Sequence, residues 1–217
     1  MPKQLSLPHN YRPSHLQSNA PLIIMCHGYG SDENDLFSFA GELDERYCIV
    51  SLRAPFGMAP FGNAWYEINF DAEQGKWSNN EQAATSRDLI AKCIDEAVEA
   101  YNCNANNVTL LGFSQGCILS LAVALSYPEK VKNVIALSGY VNTAILPEDL
   151  IAKSYDKLHI FCSHGSSDQV IPVEWARKTS PFLESLKINH VYKEYPVGHG
   201  VAPSNFFDFK KWLEQYT

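Results

Sequence analysis

The chain has 217 residues, 46% hydrophobic and 19% charged, proportions that suit a packed core and exclude the disordered class. A formal net charge of -7 with no run of basic residues excludes a nucleic-acid surface, which needs clustered Lys and Arg to neutralise phosphates. The length fits one domain over 1–217, with 1–21 as an N-terminal extension or edge strand.

The first 19 residues lack the apolar core of a signal peptide, and the longest apolar stretch, 117–125, is broken by Ser120. It is shorter than the roughly 18 residues a spanning helix needs, so no membrane span is expected. Short apolar runs follow at 22–27, 47–52, 108–113, 131–137, 158–162 and 191–195. Most are continuously hydrophobic, as strands buried on both faces are. Helical patterns alternate with them at 35–43, 115–126, 173–186 and 204–216, and Pro181 should kink or split the third. The clearest helix begins after Ser78-Asn79-Asn80-Glu81, which has capping-box spacing. Its apolar residues Ile90, Cys93, Ile94, Ala97, Val98 and Tyr101 form one stripe. The alternation predicts an α/β fold, a mostly parallel central sheet with helices on both faces.

Two stretches exceed simple connections. Residues 56–82 read as a long irregular segment rich in aromatics: Phe56, Phe61, Trp65, Tyr66, Phe70 and Trp77. Long loops in compact domains are usually functional or disordered, and so many aromatics speak against disorder; its part from Phe56 to Trp77 is a candidate wall for an acyl chain, or equally a plug completing the core. The other stretch, 139–157, has room for one brief helix. Six cysteines (Cys26, Cys48, Cys93, Cys103, Cys117 and Cys162) form no CxxC pair and no metal spacing. They read as reduced thiols of a cytoplasmic protein. No HExxH, GxGxxG or GxxxxGK[ST] is present, so neither a metal nor a nucleotide cofactor is expected.

The chemistry converges on Val108-Thr-Leu-Leu-Gly-Phe-Ser-Gln-Gly116, a strand running into a helix. A hydroxyl is a poor nucleophile until a base takes its proton, so it must stand exposed on a sharp turn. That turn crowds the flanking backbone, and glycines at 112 and 116 meet the requirement of a GxSxG elbow with Ser114 as nucleophile. Such elbows take an acid and then a histidine later in the chain. Asp168 follows the strand at 158–162 in a polar turn, and His199 lies in the glycine-flanked loop after the strand at 191–195. An oxyanion hole needs one N–H from the residue after the nucleophile, here Gln115. The second should come from an early strand–helix loop, His27-Gly28-Tyr29-Gly30, and Tyr29 is the candidate donor. His27 and His164 read as structural hydrogen-bonders.

The motifs HGYG, GFSQG, HGSSDQVIP and GHG, in this order from about Leu22 to the C-terminus, resemble the phospholipase/carboxylesterase branch of the α/β-hydrolases. That branch includes carboxylesterases and acyl-protein thioesterases. The resemblance implies an α/β-hydrolase fold and a serine esterase without cofactor. Its substrates would be short to medium acyl esters, lysophospholipids or acyl thioesters. It also implies Ser114, Asp168 and His199 as catalytic residues and Tyr29 and Gln115 as oxyanion donors. Ala64-Trp65-Tyr66 resembles the family's Trp-aromatic pair, which makes Trp65 and Tyr66, with Phe61, candidate substrate-binding residues. The family's GFSQGG elbow reads GFSQGC here, and Cys117 should narrow the packing beneath the nucleophile. The interval from Ser114 to Asp168 is filled by a helix, a strand and the 139–157 segment, so no separate cap domain fits. Activity should rise through roughly pH 6 to 8, because a neutral histidine is needed. The expected partner is a small-molecule ester or thioester, and the aromatic surface near the site would suit a homodimer. Two alternatives stay open: a non-catalytic ligand receptor and a peptidase on the same fold.

Overall fold

The computed structural model describes residues 3–60, 62–71 and 75–217. In chain order its strands are β1 (His9–Arg12), β2 (Ala20–Cys26), β3 (Cys48–Leu52), β4 (Phe56–Gly57), β5 (Asn63–Ala64), β6 (Ile68–Asp71), β7 (Gly75–Ser78), β8 (Cys103–Phe113), β9 (Asn133–Leu137), β10 (His159–Gly165) and β11 (Asn189–Tyr195). The helices are α1 (Asn80–Tyr101), α2 (Gln115–Ser126), α3 (Val173–Arg177), α4 (Thr179–Ser185) and α5 (Pro203–Tyr216).

Seven strands form one sheet in the order β1-β3-β2-β8-β9-β10-β11. All neighbours are parallel except β1, which runs antiparallel to β3 at the edge. This is the expected α/β-hydrolase architecture, and the N-terminal extension supplies its edge strand. Side chains of a strand alternate between faces, so each buried strand feeds two cores. Ile24, Val50, Leu110 and Ile160 pack with α1, α2 and α4 on one face. Ile23, Ile49, Leu111 and Phe161 pack on the other with Phe209, Trp212 and Leu213 of α5. Every residue of α2 is buried, because the helix lies between the sheet and α1.

Several expectations need correction. The cap of α1 is Asn79, whose side chain accepts from Gln82 N, one residue later than the Ser78–Glu81 spacing suggests. The 35–43 helix is a 3-10 helix over Leu36–Glu42. The segment 139–157 holds two 3-10 turns, Thr143–Ile145 and Leu150–Ala152, instead of one helix. The segment 56–82 is not simply irregular, since it contains the antiparallel ribbons β4–β5 and β6–β7. The 173–186 helix is split at Lys178, and Pro181 sits in the first turn of α4, where a missing N–H costs no helical bond. Between Ser114 and Asp168 the chain runs through α2, β9, the two 3-10 turns and β10, with no inserted domain. Among the described residues no helix is long and apolar enough to cross a membrane.

Candidate active site

Three loops at the carboxyl ends of β8, β10 and β11 build the site. Ser114 stands between β8 and α2 with φ 53, in the left-handed region that a non-glycine residue adopts only under constraint. The constraint is visible in the neighbours. A Cβ on Gly112 would sit against the carbonyl oxygen of Gly116, and one on Gly116 against those of Cys26 and His27. The Ser114 N–H donates to Leu137 O at 2.9 Å, which ties the elbow to β9. Beneath the elbow, a Cβ on Gly139 would meet Cys117 Sγ at 2.5 Å. The cysteine thus fills its space as far as Gly139, and burial pushes its thiol well up.

The loops carrying Asp168 and His199 are tied together by the Ser166 N–H to Tyr195 O at 2.8 Å and the Ser167 N–H to Val197 O at 3.0 Å. The structure brings all three side chains into one chain of hydrogen bonds. Ser114 Oγ lies 2.9 Å from His199 Nε2, and His199 Nδ1 donates to Asp168 Oδ2 at 2.6 Å. Asp168 Oδ1 accepts from the N–H groups of Val170 at 2.8 Å and Ile171 at 2.9 Å. Burial pushes the Asp168 carboxyl up, but hydrogen bonds from His199 and from these two N–H groups outweigh it and hold the acid below its ordinary range. An ionised carboxylate there fixes the imidazole with Nδ1 protonated and Nε2 free to accept from the serine.

Ser114, Gln115, Tyr29 and Tyr66 share the wall of a cavity of about 400 Å³. Among the described residues, neither the Tyr29 N–H nor the Gln115 N–H has an acceptor. Trp65 lies elsewhere than expected. It is fully buried, and its indole N–H donates to His27 O at 2.9 Å, so it supports the oxyanion loop from below. Phe61 lies outside the described residues. His27 is structural: Nδ1 donates to Gly28 O at 2.7 Å, and Nε2 accepts from the Ala54 N–H at 3.1 Å.

Sequence reasoning missed two features. The Gln115 side chain accepts from Trp65 N at 2.8 Å and donates to Tyr66 O at 2.7 Å, which clamps the aromatic pair over the elbow. Tyr140 and Trp175 form an edge-on pair at 5.4 Å in the cavity wall. Neither residue belongs to a motif: Tyr140 follows β9 at the start of the 139–157 segment, and Trp175 lies in α3, three residues past Pro172, where a helical position gives no sign of the wall it joins. Chemically, the arrangement can deprotonate a serine beside two free N–H donors and a cavity of mixed apolar and polar lining.

The family model for phospholipases and carboxylesterases matches residues 13–217. An acyl-protein thioesterase 1 from Yarrowia lipolytica is 27% identical over 214 residues, 89% of this chain and 90% of that protein. An acyl-protein thioesterase 1 homolog from Dictyostelium discoideum is 26% identical and covers 96% of each chain. Among solved structures, esterase PE8 superposes with a TM-score of 0.83 at 26% identity, covering 99% of this chain and 100% of that one. The Bacillus cereus carboxylesterase gives a TM-score of 0.83 at 17% identity over 98% of this chain and 95% of that one, a likeness of fold.

Proposed function

The chain belongs to the phospholipase/carboxylesterase family, and from that membership we propose that it is a serine hydrolase cleaving short to medium acyl esters or thioesters. One observation supports the reading most: the unbroken hydrogen-bond chain Ser114–His199–Asp168 at the wall of a cavity. In the first half-reaction Ser114 Oγ attacks the acyl carbonyl while its proton passes to His199 Nε2. The negative charge on the former carbonyl oxygen is received by the N–H groups of Tyr29 and Gln115. Collapse expels the alcohol or thiol, which leaves with the proton from His199, and the acyl group stays on Ser114. A water then gives its proton to His199, attacks the acyl-enzyme and releases the acid with Ser114 restored. Asp168 stays ionised and stabilises the imidazolium formed in each half.

The cavity offers Ile68, Ile118, Val170, Ile171 and Trp175 to an acyl chain, while Asn80, Asn142 and the Tyr140 hydroxyl add a few hydrogen-bonding groups to its lining. The six buried free cysteines suit a reducing compartment, which supports a cytoplasmic location. The experiment is hydrolysis of p-nitrophenyl esters from acetate to palmitate, with Ser114→Ala beside the wild type. Turnover should peak at short to medium chains and fall at least about a thousandfold in the variant. A folded Ser114→Ala protein that turns over these esters within about tenfold of the wild type defeats the reading.

A further inference from the structure

We propose that His164 is a positioning residue, holding from the core side the same Asp168 oxygen that His199 uses. The proposal rests on the serine-hydrolase reading above. The His164 side chain, on β10, is closed to solvent, and its Nε2 lies 2.9 Å from Ile171 O and 3.2 Å from Asp168 Oδ2. Both neighbours are acceptors, so Nε2 carries the proton: it donates to Ile171 O, and Asp168 Oδ2 lies in close electrostatic contact with the same N–H. Nδ1 is buried and has no partner among the described residues.

The Asp168 carboxylate therefore has a polar N–H close on both oxygens. Val170 and Ile171 N–H groups donate to Oδ1 and His199 to Oδ2, and the His164 Nε2–H lies 3.2 Å from Oδ2 on the core side. Together these contacts fix the carboxylate plane, and that plane sets the tilt of the His199 ring toward Ser114. The second acceptor, Ile171 O, ties the 168–171 turn to the same imidazole. Packing alone gives no reason for a histidine at this position. A leucine would fill the space without stranding a buried ring nitrogen, which carries a desolvation cost. The other charged group near His164 is Glu194, its register partner on β11, and Arg177 already holds that carboxylate at 2.7 and 2.8 Å.

Two variants and one spectrum test the proposal. His164→Gln can present an N–H near the position of Nε2, and kcat should stay within about threefold of wild type. His164→Leu should lower kcat about 10- to 100-fold, the usual loss on removing an orienting partner, with KM nearly unchanged. Its acidic limb of kcat/KM should move up by about half a pH unit, because Oδ2, relieved of one donor, stabilises the His199 imidazolium more strongly. A Leu variant with wild-type kcat, an unmoved acidic limb, or a loss that Gln fails to rescue each overturns the proposal. Should the Leu variant not fold, the ¹⁵N spectrum of the wild-type imidazoles decides. A neutral His164 protonated on Nε2 is expected, and protonation on Nδ1 overturns the idea. Ser114→Ala serves as the control in the same assay. Turnover there within about tenfold of the wild type removes the serine mechanism and this proposal with it, whereas a dead Ser114→Ala beside unaffected His164 variants overturns the positioning role alone.

Discussion

Gln115 carries two separate duties, and a substitution can divide them. Its backbone N–H has no acceptor among the described residues and is the proposed oxyanion donor, while its side chain bridges Trp65 N and Tyr66 O in a fully buried setting. Gln115→Ala keeps the N–H but strands a buried donor and a buried acceptor. Each unsatisfied group costs about 1 to 3 kcal/mol, so urea unfolding should report a loss of about 2 to 6 kcal/mol. With the clamp gone, Tyr66 is free to shift in the cavity wall, and KM for esters should rise more than kcat falls. An unchanged unfolding midpoint would show that the bridge contributes nothing. The backbone half of this residue was legible from the sequence, because an elbow dictates which N–H follows the nucleophile. The side-chain half was not, because its partners lie about fifty positions away and only the folded chain brings them into contact. Trp65 teaches the same lesson from the other direction. An aromatic beside the site was readable, but whether it faces substrate or supports the loop depends on burial.

Among the elements, the ends are where sequence and structure part. The alternation of strands and helices was legible because buried parallel strands leave continuous apolar runs. The bounds of α2 were legible because the elbow fixes its first residue. For α1, two spacings compete: Ser78 precedes Glu81 by three, and Asn79 precedes Gln82 by three. The backbone decides. Ser78 is still paired with Ile68 in the β6–β7 ribbon, whereas Asn79 is extended with its oxygen on Gln82 N at 3.1 Å. Asn79→Ala should therefore cost about 1 kcal/mol in thermal or urea unfolding, and Ser78→Ala much less. Equal losses would mean that the cap is shared. The ribbons of 56–82 were unreadable for a related reason, since two-residue strands such as β4 and β5 leave no periodicity.

At the scale of the whole molecule, buried histidines and carboxylates give the fold a two-stage response to acid. Burial pushes the His27 imidazole below its ordinary range, and burial with the nearby Lys132 ammonium does the same to His159. In the unfolded chain both take a proton near pH 6.5. Below that value the unfolded state binds protons that the folded state refuses, so stability falls as the pH drops. The carboxylates respond later. Glu33 is held below its usual range by hydrogen bonds from Arg53, and Asp168 by those from His199, Ile171 and Val170 despite burial. Their contribution is full above about pH 4 and is lost as the pH falls through the unfolded value toward the folded one. Urea midpoints should then be level above about pH 7, decline gently from about 6.5, and drop steeply below about 4. Replacing both imidazoles, His27→Asn with His159→Gln, should lower the plateau yet flatten the first stage and leave the second in place. A wild-type midpoint constant from pH 7 to 5 would mean that the folded state accepts these protons as readily as the unfolded chain. His27, wedged between Gly28 O and the Ala54 N–H, would then have to open the oxyanion loop to be charged. In that case ester hydrolysis, and not stability, would fall first on acidification.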